Sequence, residues 1–66
     1  MSIAKSIEIL AQGETLEAAT EAAVREASKT VSNIKSVYVD EYQALVEDNE
    51  IQSYRVHTKI TFVIAK

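Results

Sequence analysis

The run Glu50-Ile51-Gln52-Ser53-Tyr54-Arg55-Val56-His57-Thr58-Lys59-Ile60-Thr61-Phe62-Val63-Ile64 constrains this chain more than any other stretch. Tyr54, Val56, Ile60, Phe62 and Ile64 share one parity, broken only by Thr58, while Ser53, Arg55, His57, Lys59 and Thr61 share the other. Successive side chains of a strand point to opposite faces, so the run predicts a long strand with one apolar and one polar face. The apolar face needs a cover. The polar face carries most of the chain's unusual side chains.

Upstream segments supply the cover. Ile3, Ile7 and Ile9 alternate with Ala4, Ser6, Glu8 and Leu10, with Lys5 spoiling the apolar parity, and predict a first strand ending near Gln12-Gly13, where the only Gly marks a turn. Thr15 is placed as a helix N-cap, with Glu14 and Glu17 near the positive end of the helix dipole. Leu16, Ala19, Ala23, Ala27, Thr30/Val31 and Ile34 recur at helical spacing and predict a helix reaching about Asn33, with Glu21 and Arg25 as a favourable pair on its surface. Its buried stripe is mainly Ala, which lets a curved sheet approach closely and is also a good helix former. Asn33 closes the helix in this reading. A second strand follows over about Ser36–Glu47, with neither face clean. A bulge near Asp40–Tyr42, or burial of both faces between subunits, accounts for that. Asp48-Asn49 is the hairpin turn.

The order strand–helix–strand–strand, with a right-handed crossover, predicts a β-α-β-β α+β unit. Its antiparallel three-stranded sheet has order 1-3-2 and is partly wrapped round one helix. The chain has 66 residues and is expected to form a single domain over residues 1–66. Domains below about 70 residues usually need an extra source of stability. Without Cys there are no disulfides, so oligomerisation is the expected source. A net charge of −3 argues against nucleic acid. No apolar run approaches the roughly 20 residues of a membrane span, and no signal peptide is visible, so a cytoplasmic protein is expected.

The sequence resembles the dodecins along essentially its whole length. The likeness rests on the strand ending in Gly13, on Glu26-Ala27-Ser28-Lys29-Thr30 and the Asn33-Ile34 exit, and on Val46-Glu47-Asp48 leading into Tyr54-Arg55-Val56 and Lys59-Ile60-Thr61-Phe62. The resemblance implies a hollow homododecamer. In many members it holds flavin (riboflavin or FMN) in pairs between subunits, each ring stacked on a Trp and hydrogen-bonded by a Gln, for storage rather than turnover. Here Ser36 stands at the Trp position and Arg55 at the Gln position, so flavin binding is expected to be weak or lost. Some Trp-lacking members are associated with calcium, which gives the alternative of a cation-binding or purely structural assembly.

The candidate ligand-binding residues are therefore Ser36, Arg55, Tyr38 and His57. Arg55, His57 and Lys59 form either a cationic wall for an anionic ligand or a set of inter-subunit pairs with Asp and Glu. Tyr38, two residues beyond Ser36 on the same strand face, offers substitute stacking or packs an interface, as Tyr42 and Tyr54 do. Asp40, Glu41, Glu47, Asp48 and Glu50 supply hard oxygens but no EF-hand loop, and the metal ligands stay unassigned. Catalysis is not expected. There is no Gly-rich phosphate loop, and Ser36 with His57 lacks an orienting third group and an oxyanion site.

Overall fold

The computed structural model describes residues 3–65. Its elements are β1 (Ile3–Gly13), α1 (Leu16–Ala27), β2 (Ile34–Glu47) and β3 (Glu50–Ala65). β3 lies between β1 and β2 and runs antiparallel to both, so the sheet order is β1-β3-β2, as expected.

Alternation in β3 decides where the core sits. Val56, Thr58, Ile60 and Phe62 are buried against Ala19, Ala23 and Ala27 of α1. Burying a side chain such as Val56 or Ile60 fully contributes about 1.5–3 kcal/mol. Thr58, the exception in the apolar parity, is 0% exposed, and its hydroxyl donates to the Ile9 carbonyl at 2.8 Å. That bond satisfies the buried oxygen and ties β1 to β3. The Ala stripe lets helix and sheet approach closely. A Cβ built on Gly13 would lie 2.5 Å from the Ala19 nitrogen. Gly13 does not have positive φ, so crowding, rather than turn geometry, is what demands glycine there.

The helix begins where expected and ends early. Thr15 is the N-cap, accepting from the Ala18 N–H at 2.9 Å. The last helical residue is Ala27, not a residue near Asn33. Beyond it Lys29 N–H donates to Glu26 O and Thr30 N–H to Ala27 O, a tightened turn, while the Ser28 hydroxyl donates to Arg25 O at 2.8 Å. Ser, Thr and Asn compete with helix continuation through such local bonds, and residues 28–33 hold four of them, Ser28, Thr30, Ser32 and Asn33. Asn33 does take a left-handed φ of 61°, but it turns the chain into β2 rather than closing the helix. The ion pair formed at this end joins Glu26 of the helix to Lys29 in the turn beyond it at 3.0 Å, and among the described residues the expected Glu21–Arg25 pair is not formed.

The untidy parity of β2 has the anticipated cause. Val39 pairs with Thr58 and Glu41 with His57, so Asp40 is an extra residue in the ladder. The bulge moves the helix-side parity from Val37 and Val39 to Tyr42 and Ala44, which pair with Val56 and Tyr54 but stay exposed. Asp48 and Asn49 have φ of 54° and 63°, the primed turn that suits the twist of a two-residue hairpin.

The protomer measures 52 × 20 × 13 Å. A helix of 12 residues is about 18 Å long, so it shields only part of one sheet face. The β2–β3 hairpin projects past it, leaving Tyr42, Val46 and Ile51 61%, 63% and 57% exposed. The opposite face has no cover at all within the described chain. Among the described residues no helix is long and apolar enough to cross a membrane.

Candidate binding site on the open sheet face

Strand pairing arranges the open face in rows across all three strands. Gln12, Arg55 and Gln43 form one row; Leu10, His57 and Glu41, with the bulged Asp40, form the next. Glu8, Lys59 and Tyr38 follow, then Ser6, Thr61 and Ser36. The bulge makes the second row possible, because it sets two β2 carboxylates opposite one imidazole.

His57 is the most constrained side chain of the face. Its Nδ1 lies 2.5 Å from Asp40 Oδ1 and its Nε2 3.2 Å from Glu8 Oε1. The imidazolium form donates from both nitrogens, whereas a neutral ring donates from only one. Hydrogen bonding to Asp40, then to Glu8, therefore raises the His57 pKa above its ordinary value, against a smaller opposing effect of desolvation. The two side chains nearest this bond are only 26% and 22% exposed. Lys59 Nζ is 4.0 Å from Asp40 Oδ2. The carboxylate pairing expected between subunits for this strand face is thus supplied for His57 and Lys59 within the protomer.

Arg55 is different. Its Nε and Nη2 donate to Gln12 Oε1 at 3.3 and 3.0 Å, and its Nη1 donates to Gln43 Oε1 at 3.5 Å. Both acceptors are neutral amides. Beside it lies a half-open depression of about 400 Å³ lined by Leu10, Glu41, Tyr42, Gln43, Arg55 and His57.

The four residues singled out from sequence lie in four successive rows, Arg55 and His57 on β3 and Tyr38 and Ser36 on β2. Ser36 pairs with Thr61, however, six positions along β3 from Arg55, which is roughly 20 Å in a strand. Within one protomer the structure does not bring Ser36 and Arg55 to a common site. Gln12 and Glu8, which help hold Arg55 and His57, are not recognisable from sequence because no turn fixes the register of β1 on β3, and Gln43 is not because a register shift at Leu45/Val46 lies between it and the hairpin turn. Among the described residues no group of three or more His, Asp or Glu side chains is arranged to hold a metal ion.

Residues 3–65 match the family model described as Dodecin. A search of curated protein sequences gave no match. Among solved structures, a tryptophan-to-phenylalanine variant of the Thermus thermophilus dodecin aligns with a TM-score of 0.89 at 25% identity, covering 100% of both chains. A further Thermus thermophilus protein aligns with a TM-score of 0.90 at 25% identity, covering 100% of this chain and 98% of that one. The dodecin of Streptomyces davaonensis aligns at 0.87 and 21% identity, covering 98% of this chain and 97% of its own, and bears on the fold alone.

Proposed function

Because the chain belongs to the dodecin family, whose members are small flavin-binding proteins, we propose that it forms a self-assembled cytoplasmic homododecamer. The shell sequesters a small ligand, performs no catalysis and binds flavin weakly or not at all. The observation carrying this reading is the pair of side chains at Ser36 and Arg55, where the resemblance places a stacking Trp and a hydrogen-bonding Gln. Serine has no aromatic face to offer an isoalloxazine. The pyrimidine edge of neutral flavin alternates acceptor, donor, acceptor. A Gln amide meets such an edge with both a donor and an acceptor, but a guanidinium only donates, so Arg55 faces the ring N–H with another N–H.

Two features support assembly. The roughly 20 Å between Ser36 and Arg55 along one sheet favours a ligand site assembled from different copies. The exposed Tyr42, Val46 and Ile51 of the projecting hairpin favour burial against a neighbour.

Titration of riboflavin and FMN with the purified protein, followed by flavin fluorescence, tests the ligand reading. Little quenching is expected at low-micromolar protein, and strong quenching contradicts it. Ser36→Trp combined with Arg55→Gln is expected to raise affinity. An unchanged affinity would mean that these two positions are not what weakens the site.

A further inference from the structure

Three cationic side chains line the open face along β3, and their surroundings differ. His57 sits between two carboxylates, and Lys59 is within 4.0 Å of one. Among the described residues Arg55 has no carboxylate within salt-bridge distance; it is held by Gln12 and Gln43 alone. An amide beside a guanidinium can offer only its oxygen. Both Gln side chains are therefore turned oxygen-inward, and their NH₂ groups are left as further donors. Each terminal nitrogen of Arg55 gives one hydrogen to these amides and keeps a second that no described group accepts. The row thus offers the remaining N–H of each terminal guanidinium nitrogen, flanked by two amide NH₂ groups, so that donors outnumber the one lone pair left on Gln43 Oε1.

We propose that the Gln12–Arg55–Gln43 row is an oxyanion-binding site, taking the carboxylate or phosphate group of a small organic anion in the depression beside it. A paired guanidinium fork matches two oxygens of either group and forms the stronger, charge-assisted class of hydrogen bond. The two Gln side chains hold the guanidinium in place before the ligand arrives, which reduces the ordering cost of binding. The other two cations of this β3 face are already paired, His57 with Asp40 and Glu8 and Lys59 with Asp40, so Arg55 is the free positive centre of the depression. Glu41, which also lines it, sets the polarity of the site, disfavouring an anion on its side and directing the ligand's neutral part towards Leu10, the apolar side chain of that row. The inference names a ligand class for the shell proposed above and rests on that reading for its purpose. The site itself is built within one protomer.

The test is calorimetric titration of the assembled protein with inorganic phosphate and, separately, with malonate, both at constant ionic strength. The Nε–H resonance of Arg55 is followed in parallel. The chain has two arginines, and Arg25 serves as the internal control. Saturable binding that moves the Arg55 signal and leaves Arg25 in place is expected. Arg55→Gln should weaken it about tenfold or more, and Arg55→Lys, which keeps the charge but loses the fork, should weaken it less. Binding of phosphate alone assigns a phosphate ester, binding of malonate alone assigns a carboxylate, and either supports the site. No saturable binding of either anion, or equal binding by Arg55→Gln, overturns it. Because oligomeric mass and flavin quenching are measured separately, failure here is distinguishable from failure of the shell.

Discussion

Replacing Gly13 by Ala places a methyl group where the structure has no room. The added Cβ would lie 2.5 Å from Ala19 N, 2.8 Å from Ala18 C and 2.9 Å from Ala19 Cα, and ordinary contact begins near 3.4 Å. All three are backbone atoms of the first helical turn, so no side chain can rotate away. Relief requires the end of β1 and the start of α1 to separate by about 0.9 Å. That movement works against the Thr15 cap, whose bonds to Ala18 N–H and Ala19 N–H are 2.9 and 3.0 Å, and it opens the buried seat of Ala19. Overpacking of this kind costs about 1–3 kcal/mol. Ala also restricts the unfolded chain and returns about 0.4–1 kcal/mol, since no positive φ is needed here. The packing effect is the larger, giving a net loss of about 1–2 kcal/mol and a fall in Tm of about 4–16 °C for a domain of this size. The assay is thermal unfolding by circular dichroism at matched protein concentration, because the stability of an oligomer depends on concentration. A Gly13→Ala protein as stable as the parent, or more stable, would refute the close approach of helix and sheet.

Thr58→Val keeps the shape of the buried side chain and removes the bond to Ile9 O. A loss of about 0.5–1.5 kcal/mol is expected in denaturant unfolding, and a gain would mean that the hydroxyl holds nothing in place. His57 binds its proton more tightly in the folded protein than in the unfolded chain, where its value is near 6.5. Its stabilising contribution is therefore complete below 6.5 and is lost as pH rises through the higher folded value. Tm measured from about pH 5.5 upward, where carboxylates remain ionised, should fall across that window, and His57→Gln should flatten the curve. A profile that rises with pH, or that survives the substitution, contradicts the Asp40–His57–Glu8 clamp.

Much of the architecture was readable because local signals agreed. The parity of β3, the Ala spacing of α1, the Thr15 cap and the Asp48-Asn49 turn each act within a few residues, and together they leave few topologies. The helix end was misplaced because Thr30, Val31 and Ile34 continue the helical period. Val31 and Ile34 do pack against the core, but from the connection after the helix and from β2, while Thr30 is exposed. The site was only half legible. Arg55, His57 and Lys59 follow from parity, whereas Gln12 and Glu8 depend on register between strands separated by the crossover, and Gln43 on a register shift at Leu45/Val46 within the hairpin; sequence spacing fixes neither. The single glycine looked like a turn residue. Its reason is a contact with Ala19 that only the three-dimensional packing creates.

The uncovered face and the projecting hairpin make assembly the claim on which the functional reading depends, and native mass spectrometry of dilute protein at physiological salt tests it most directly. A closed dodecamer that persists on dilution is the expected result; a folded, stable monomer under those conditions would contradict it.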